Sequence, residues 1–317
     1  MTAPARDPSV SARVGLGSRI SRWFFTRPGF LLALLLIPPL LWMGVIYLGS
    51  LLNLLLYSFY SLNDFTGQLE TRFSLSAFSQ LLGSPANVDI VLRTVLMATV
   101  VTLACAALAF PIALYIARYA KGNHKTFWYL MVLLPLWSSY LVRVYAGRLI
   151  LAQDGVLSWL LERLGLGGAL EAVLKLPVIG GTSLSSSYLG MFMVFTYIWL
   201  PFMILPLIAA LERVPNSLLQ ASADLGARPH QTFWKVIWPL AVPGLAAGSI
   251  FTFALTLGDY IIPQVVGQPG FFIGQMVYVQ QGTAGNIPLA AAFSVVPVVI
   301  ITVYLLFVRR MGAFNAL

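Results

Sequence analysis

The sequence predicts an all-α membrane protein with about six transmembrane helices. Three observations predict it. Hydrophobic residues make up 59% of the 317-residue chain and charged residues only 9%, against about 45–50% and about 25% in an average globular protein. The mean hydropathy is +0.86. The 19 basic and 10 acidic residues are gathered between long uncharged runs rather than spread along the chain. So few charges could not clothe a soluble surface of this size. Disordered, collagenous and disulfide-rich classes are excluded.

The N-terminal tail, 1–28, carries Arg6, Arg13, Arg19, Arg22 and Arg27. It is expected to be cytoplasmic and to lead into an uncleaved first span. The apolar run after it far exceeds the roughly 7–15 residues of a signal-peptide core, and no clear small-residue cleavage site ends it. An Arg-rich transit peptide over 9–25 is the alternative.

A spanning helix needs about 20 mostly apolar residues, because each adds about 1.5 Å across about 30 Å of hydrocarbon. The uncharged runs supply them. Thirty-six residues lie between Arg27 and Asp64, 24 between Arg93 and Arg118, 36 over Leu176–Leu211 and 23 over Val236–Gly258. Thr126–Val142 is shorter and is followed by Arg143 and Arg148, and Leu289–Val308 ends at Arg309-Arg310. The predicted spans are about 30–58, 91–117, 127–150, 187–210, 239–264 and 288–308, within a transmembrane domain of 29–310 and before a C-terminal tail of 311–317. The runs lack period-two alternation, so a barrel does not fit, and backbone groups in lipid must pair within their own segment. Pro38-Pro39, Pro111, Pro135, Pro201, Pro206, Pro243, Pro263 and Pro297 fall in or beside these runs and predict bent helices.

The cations set the orientation. The N-terminal tail, Arg118, Lys121 and Lys125 after the second span, Arg213, Arg228 and Lys235 after the fourth, and Arg309 and Arg310 at the end hold 13 of the 19. Those segments are cytoplasmic by the positive-inside bias, which puts both termini in the cytoplasm. The net charge of +9 is therefore a membrane signal, and no nucleic-acid partner is expected. Cys105 is the single cysteine, so no intrachain disulfide and no cysteine metal site can form.

The loop 212–239 is the most informative segment. Asn216 or Ser217 is placed to cap a short helix, in which Leu218, Ala221, Ser222 and Leu225 share a face. Gly226 is placed to end it with a positive φ. Pro229 can open a second helix, where its missing N–H costs little. The bland reading is an amphipathic hairpin at the interface.

The residues also resemble the EAA loop of permease subunits of binding-protein-dependent ABC importers. That pattern is E-A-A, three residues, G, nine residues, then I-x-L-P. Here it reads Gln220-Ala221-Ser222, Ala223-Asp224-Leu225, Gly226, nine residues, then Val236-Ile237-Trp238-Pro239. Ala221, Gly226 and Pro239 match, while Gln220, Ser222 and Trp238 depart from the pattern. Pro135–Ala146, and Leu257–Pro263 with Gly267, resemble the spermidine/putrescine permease group. Relatives of that group also carry iron, opines and phosphonates, so the resemblance does not fix the solute.

The resemblance implies a type I importer bundle with a cytoplasmic coupling helix, in the bacterial cytoplasmic (inner) membrane. It implies a second permease subunit, identical or paralogous, two ATP-binding cassette ATPase subunits and an extracytoplasmic solute-binding protein. Gln220, Ala221, Ser222, Asp224, Leu225 and Gly226 would couple the ATPase to alternating access. ATP and Mg would sit on the partner subunits, with no cofactor bound directly by this chain. The chain itself would be no enzyme. It has no G-x-x-x-x-G-K-[ST] loop, Gly122–Thr126 being only a distant echo. It has no H-E-x-x-H motif, and His124 and His230 lie in predicted loops. An ion-gradient-driven secondary transporter would also show proline-broken helices and buried charge, but it leaves the loop spacing unexplained.

Asp259 is the single acid within Ile250–Val266. Intramembrane ionisable residues mark solute paths or internal pairs. Asp259 can meet a cationic solute or pair with Arg143 or Arg148. Trp137, Tyr140, Tyr145, Tyr197 and Tyr260 can line a path for amines through cation–π contacts, or form the interfacial aromatic belt.

Overall fold

The computed structural model describes residues 28–63, 66–177, 179–268 and 270–310. Apart from Pro28, the predicted tails at 1–28 and 311–317 lie outside the described residues. Two compact units divide near residue 56. The first contributes one helix, α1 (Gly29–Tyr57). It continues through Pro38 and Pro39 and widens into a π-helical stretch over Trp42–Leu48.

The second unit opens with an antiparallel hairpin, β1 (Ser61–Leu62) against β2 (Leu69–Glu70), in the register Ser61 to Glu70. After it come α2 (Ser76–Gly83) and the long α3 (Pro85–Tyr119). Next are α4 (Gly122–Trp137), α5 (Tyr140–Ile150), α6 (Val156–Arg163) and α7 (Gly167–Leu174). A 3₁₀ turn at Leu184–Ser186 precedes α8 (Tyr188–Glu212). The short α9 (Asn216–Asp224) leads to α10 (Pro229–Gly258). The chain ends with α11 (Ile261–Val265), α12 (Ile273–Gly282) and α13 (Ile287–Arg310). Among the described residues five helices are long and apolar enough to cross a membrane, and the bent pair α4–α5 makes six.

The core lies where α3 and α10 flank α8. Val101, Cys105, Ala109 and Ala113 recur once per turn on α3 and are fully buried beside Phe195, Ile198 and Met203 of α8. Small residues let backbones approach, which is how helices associate in lipid. On α10 the device is Gly244 and Gly248, four residues apart. A β-carbon on Gly244 would lie 2.4 Å from Ala210 Cβ, and one on Gly248 would lie 2.7 Å from Met203 Sδ and 2.9 Å from its Cα.

Two spans differ from the prediction. The third was expected as one helix over about 127–150, bent by Pro135, but it is broken in two, and α4 and α5 meet at 97°. Ser138 (ψ 150°) and Ser139 (ψ 136°) are extended, and Ser138 Oγ donates to the Pro135 carbonyl at 2.8 Å. A hydroxyl that satisfies a local carbonyl competes with the helix, and Pro135 has already removed one donor. The fifth span was expected to reach 264. It ends at Gly258, because Asp259 turns the chain and starts α11 separately: its Oδ1 accepts from the N–H groups of Ile261 (2.8 Å) and Ile262 (3.0 Å).

Candidate functional site

Two places carry the predicted site residues. The first is α9. Its C-terminus is a Schellman motif: the Gly226 N–H reaches the Ala223 carbonyl at 2.8 Å, and the Ala227 N–H reaches the Ser222 carbonyl at 3.1 Å. Gly226 has φ +73°, the left-handed conformation the motif requires. Pro229 begins α10 at its first helical position.

The N-terminus differs from the prediction. Neither Asn216 nor Ser217 caps the helix, since the cap position is Pro215 and no side chain caps it. Asn216 Oδ1 instead accepts from Arg118 Nη1 at 3.2 Å. Gln220, Ala221, Asp224, Leu225 and Gly226 are exposed, Leu225 to 87%. Ser222 turns inward, and its hydroxyl lies 2.8 Å from Thr232 Oγ1 in the first turn of α10. The loop therefore presents a short helix, capped at its C-terminus, whose outer face is left exposed by the described residues.

The second place is a cleft of about 340 Å³ where α5, α8, α10 and α11 meet, lined by Tyr140, Trp199, Asp259 and Tyr260 together with small and aliphatic residues. Tyr140 O–H donates to Asp259 Oδ2. The Tyr140 ring stacks on Trp199 with centroids 5.8 Å apart and planes 16° apart, and Tyr260 stacks on Tyr278 at 5.2 Å.

The alternative of an ion pair to Asp259 is not realised. Among the described residues neither Arg143 nor Arg148 forms a salt bridge with it. Its carboxylate is satisfied by Tyr140 and two backbone N–H groups, which also explains how an acid persists beside the apolar helices. Arg148 is exposed, and Arg143 is buried one turn from Tyr140. Trp137 and Tyr197 are 75% and 50% exposed and, like Tyr145, do not line the cleft. Of the proposed path residues, the fold gathers Asp259, Tyr140 and Tyr260.

Two groups of residues were missed. Trp199 lies mid-span rather than at an end, which is where an interfacial belt would not put it, and that position was the available signal. Arg118 and the cluster of Lys125, Tyr129 and Glu212 were counted only as topology markers or not at all.

A bundle of proline-bent spanning helices with an exposed, glycine-terminated helix between two of them fits a transport permease subunit. The comparisons with known proteins agree. The family described as binding-protein-dependent transport system inner membrane component matches residues 81–314, and the chain belongs to it. The chain is 58% identical over 306 residues to the inner membrane ABC transporter permease protein YdcU of Escherichia coli, covering 96% of this chain and 97% of that protein. It is 30% identical over 235 residues to the E. coli spermidine/putrescine transport system permease protein PotB, covering 74% and 81%. Among solved structures, a bacterial ABC transporter that imports alginate superposes with a TM-score of 0.68 at 18% identity, covering 92% of this chain and 98% of the other. An inward-facing MetNI methionine transporter gives 0.53 at 18%, covering 73% and 95%. The protein is thus a multi-pass inner-membrane ABC importer permease subunit with the type I importer fold.

Proposed function

We propose that this permease carries a polyamine, or a related small amine cation, by alternating access driven by ATP hydrolysis on partner subunits. The observation that carries the proposal is Asp259 held at the edge of a cleft with Tyr140, Trp199 and Tyr260. A carboxylate among aromatic faces suits an ammonium group through charge attraction and cation–π contact. The likeness to spermidine/putrescine permeases supports the same solute class.

In this reading α9 docks on an ATPase subunit. Two such subunits, a second permease and an extracytoplasmic binding protein complete the importer. Both termini are cytoplasmic, ATP and Mg stay on the partners, and this chain binds neither. The exposed, glycine-terminated α9 favours that reading over an ion-gradient-driven transporter, which has no use for a docking helix.

The test is uptake of radiolabelled putrescine and spermidine into proteoliposomes holding the whole complex. Uptake should need ATP and survive an ionophore. Uptake that ignores ATP and collapses with the ionophore would establish secondary transport. ATP-dependent uptake of another solute that excess polyamine does not inhibit would overturn the polyamine assignment.

A further inference from the structure

Arg118 is a membrane-edge cation by sequence, yet the fold uses it for a specific task. It sits in a π-helical turn, Tyr115–Tyr119, that closes α3. There the Ala120 N–H bonds the Tyr115 carbonyl, five residues back, at 2.9 Å. A π-turn inserts an extra residue and re-aims the side chains beyond it, and such turns often mark functional positions. Arg118 is thereby directed across to the segment entering α9. Its Nη2 donates to the Val214 carbonyl at 2.9 Å and its Nη1 to Asn216 Oδ1 at 3.2 Å. The two acceptors flank Pro215, at the cap position of α9. One planar guanidinium thus spans the helix entrance, a geometry that lysine cannot reproduce with a single ammonium.

Two residues earlier a second attachment holds the same segment. Glu212 Oε1 accepts from Lys125 Nζ at 2.7 Å and from Tyr129 O–H at 2.8 Å, both on α4. The far end of α9 is clasped to α10 by Ser222 and Thr232. α9 is covalently continuous only with α8 and α10, but these contacts also tie its entrance to α3 and α4.

We propose that Arg118 is a positioning residue for coupling. It makes α9 and the cytoplasmic end of α3 move as one body, so that displacement of the docked helix enters the bundle through α3 as well as through α8 and α10. The proposal rests on the reading of α9 as the ATPase-docking helix. Without the fork α9 still docks and the ATPase still turns over, but α3 lags and hydrolysis is wasted.

The experiment measures ATP hydrolysed per solute molecule imported, in proteoliposomes with the complete transporter. Arg118→Gln should raise that ratio roughly tenfold, the factor corresponding to one charge-assisted hydrogen bond. Arg118→Lys should raise it nearly as much, because charge without the fork does not bridge both acceptors. Asn216→Asp, which keeps an acceptor for the guanidinium, should leave it at the wild-type value. A merely structural role would lower hydrolysis and import together and leave the ratio unchanged, and that outcome overturns the proposal. If Arg118→Gln does not assemble, Asn216→Ala decides the question from the exposed side: a raised ratio supports the fork and an unchanged one overturns it. Crosslinking of Leu225→Cys to the ATPase separates the two levels. No crosslink in an otherwise wild-type complex removes the docking reading and this proposal with it. A crosslink together with an unchanged ratio removes only the role of Arg118.

Discussion

Ser222 Oγ lies 2.8 Å from Thr232 Oγ1, which joins the last turns of α9 to the first turn of α10 across the Gly226 stop. The serine stands where the resembled loop pattern has its second alanine. The departure from the pattern therefore adds a contact, a hydroxyl bond that an alanine could not make. Ser222→Ala or Thr232→Val should cost about 0.5–1.5 kcal/mol, the usual net worth of a neutral hydrogen bond. Amides of 219–225 should exchange several-fold faster while the rest of the bundle is unchanged. Equal exchange in mutant and wild type would show that the clasp contributes nothing.

Gly226 is tested by conformation rather than by contact. A β-carbon there would meet nothing within 4 Å, so space is not the constraint, but φ is +73°. A non-glycine residue in this region costs about 1–2 kcal/mol, with asparagine among the least penalised. Gly226→Asp should lower solute-stimulated ATPase activity and transport strongly, since it adds both strain and a charge on the exposed loop. Gly226→Asn should be much milder. Equal effects of the two would assign the loss to the positive-φ backbone rather than to the added charge.

How much of this was legible in the sequence depends on where each signal resides. Span number, the Gly226 stop and the Pro229 start were legible because they rest on run length and single-residue backbone chemistry, both local. The break at Ser138–Ser139 was not, because hydropathy treats two serines in a long apolar run as tolerable. The Ser138 hydroxyl bond to the Pro135 carbonyl, added to the donor the proline lacks, turns a bend into a break. The Asp259–Tyr140 contact joins residues 119 apart, and the Arg118–Val214 contact joins residues 96 apart. No periodicity within one helix reports such pairings. Charge balance alone suggested arginine for Asp259, but a tyrosine hydroxyl and two backbone donors meet it instead.

The close approach of α8 and α10 predicts the effect of filling it. Gly248→Val would place its β-carbon 2.9 Å from Met203 Cα, a contact that no rotamer change relieves. Overpacking a tight interface costs about 1–3 kcal/mol. The purified subunit or complex should melt several degrees lower in detergent. Gly258→Ala, whose β-carbon would meet nothing within 4 Å, should melt like wild type. Equal melting of all three proteins would place the α8–α10 contact elsewhere.

The orientation can be read with cysteine labelling, and the native chain is a convenient background because Cys105 is fully buried. Glu162→Cys should react with a membrane-impermeant maleimide added outside intact cells. Asp224→Cys should react only after the membrane is opened. The reverse pattern would invert the topology and place α9 where no ATPase could reach it.

The partners of Asp259 make its solute-binding and structural readings separable. Tyr140→Phe removes one donor and leaves the two backbone N–H groups of Ile261 and Ile262 in place, so the turn that ends α10 should survive. Asp259→Asn keeps the shape but loses the charge. If Asp259 meets an amine solute, Asp259→Asn should cut transport at least tenfold, in line with loss of roughly 1.5–3 kcal/mol for a charged hydrogen bond, while assembly and basal ATPase activity persist. Tyr140→Phe should cost less, because the N–H groups of Ile261 and Ile262 still hold Asp259 in position. Because Arg143 makes no bond to Asp259, adding Arg143→Gln to Asp259→Asn should recover nothing. Recovery in that double mutant would mean that an Arg143–Asp259 pair forms in another state of the transport cycle. Full transport by Asp259→Asn at solute concentrations below saturation would instead reduce Asp259 to a helix-turn residue, a task its Oδ1 already performs for α11.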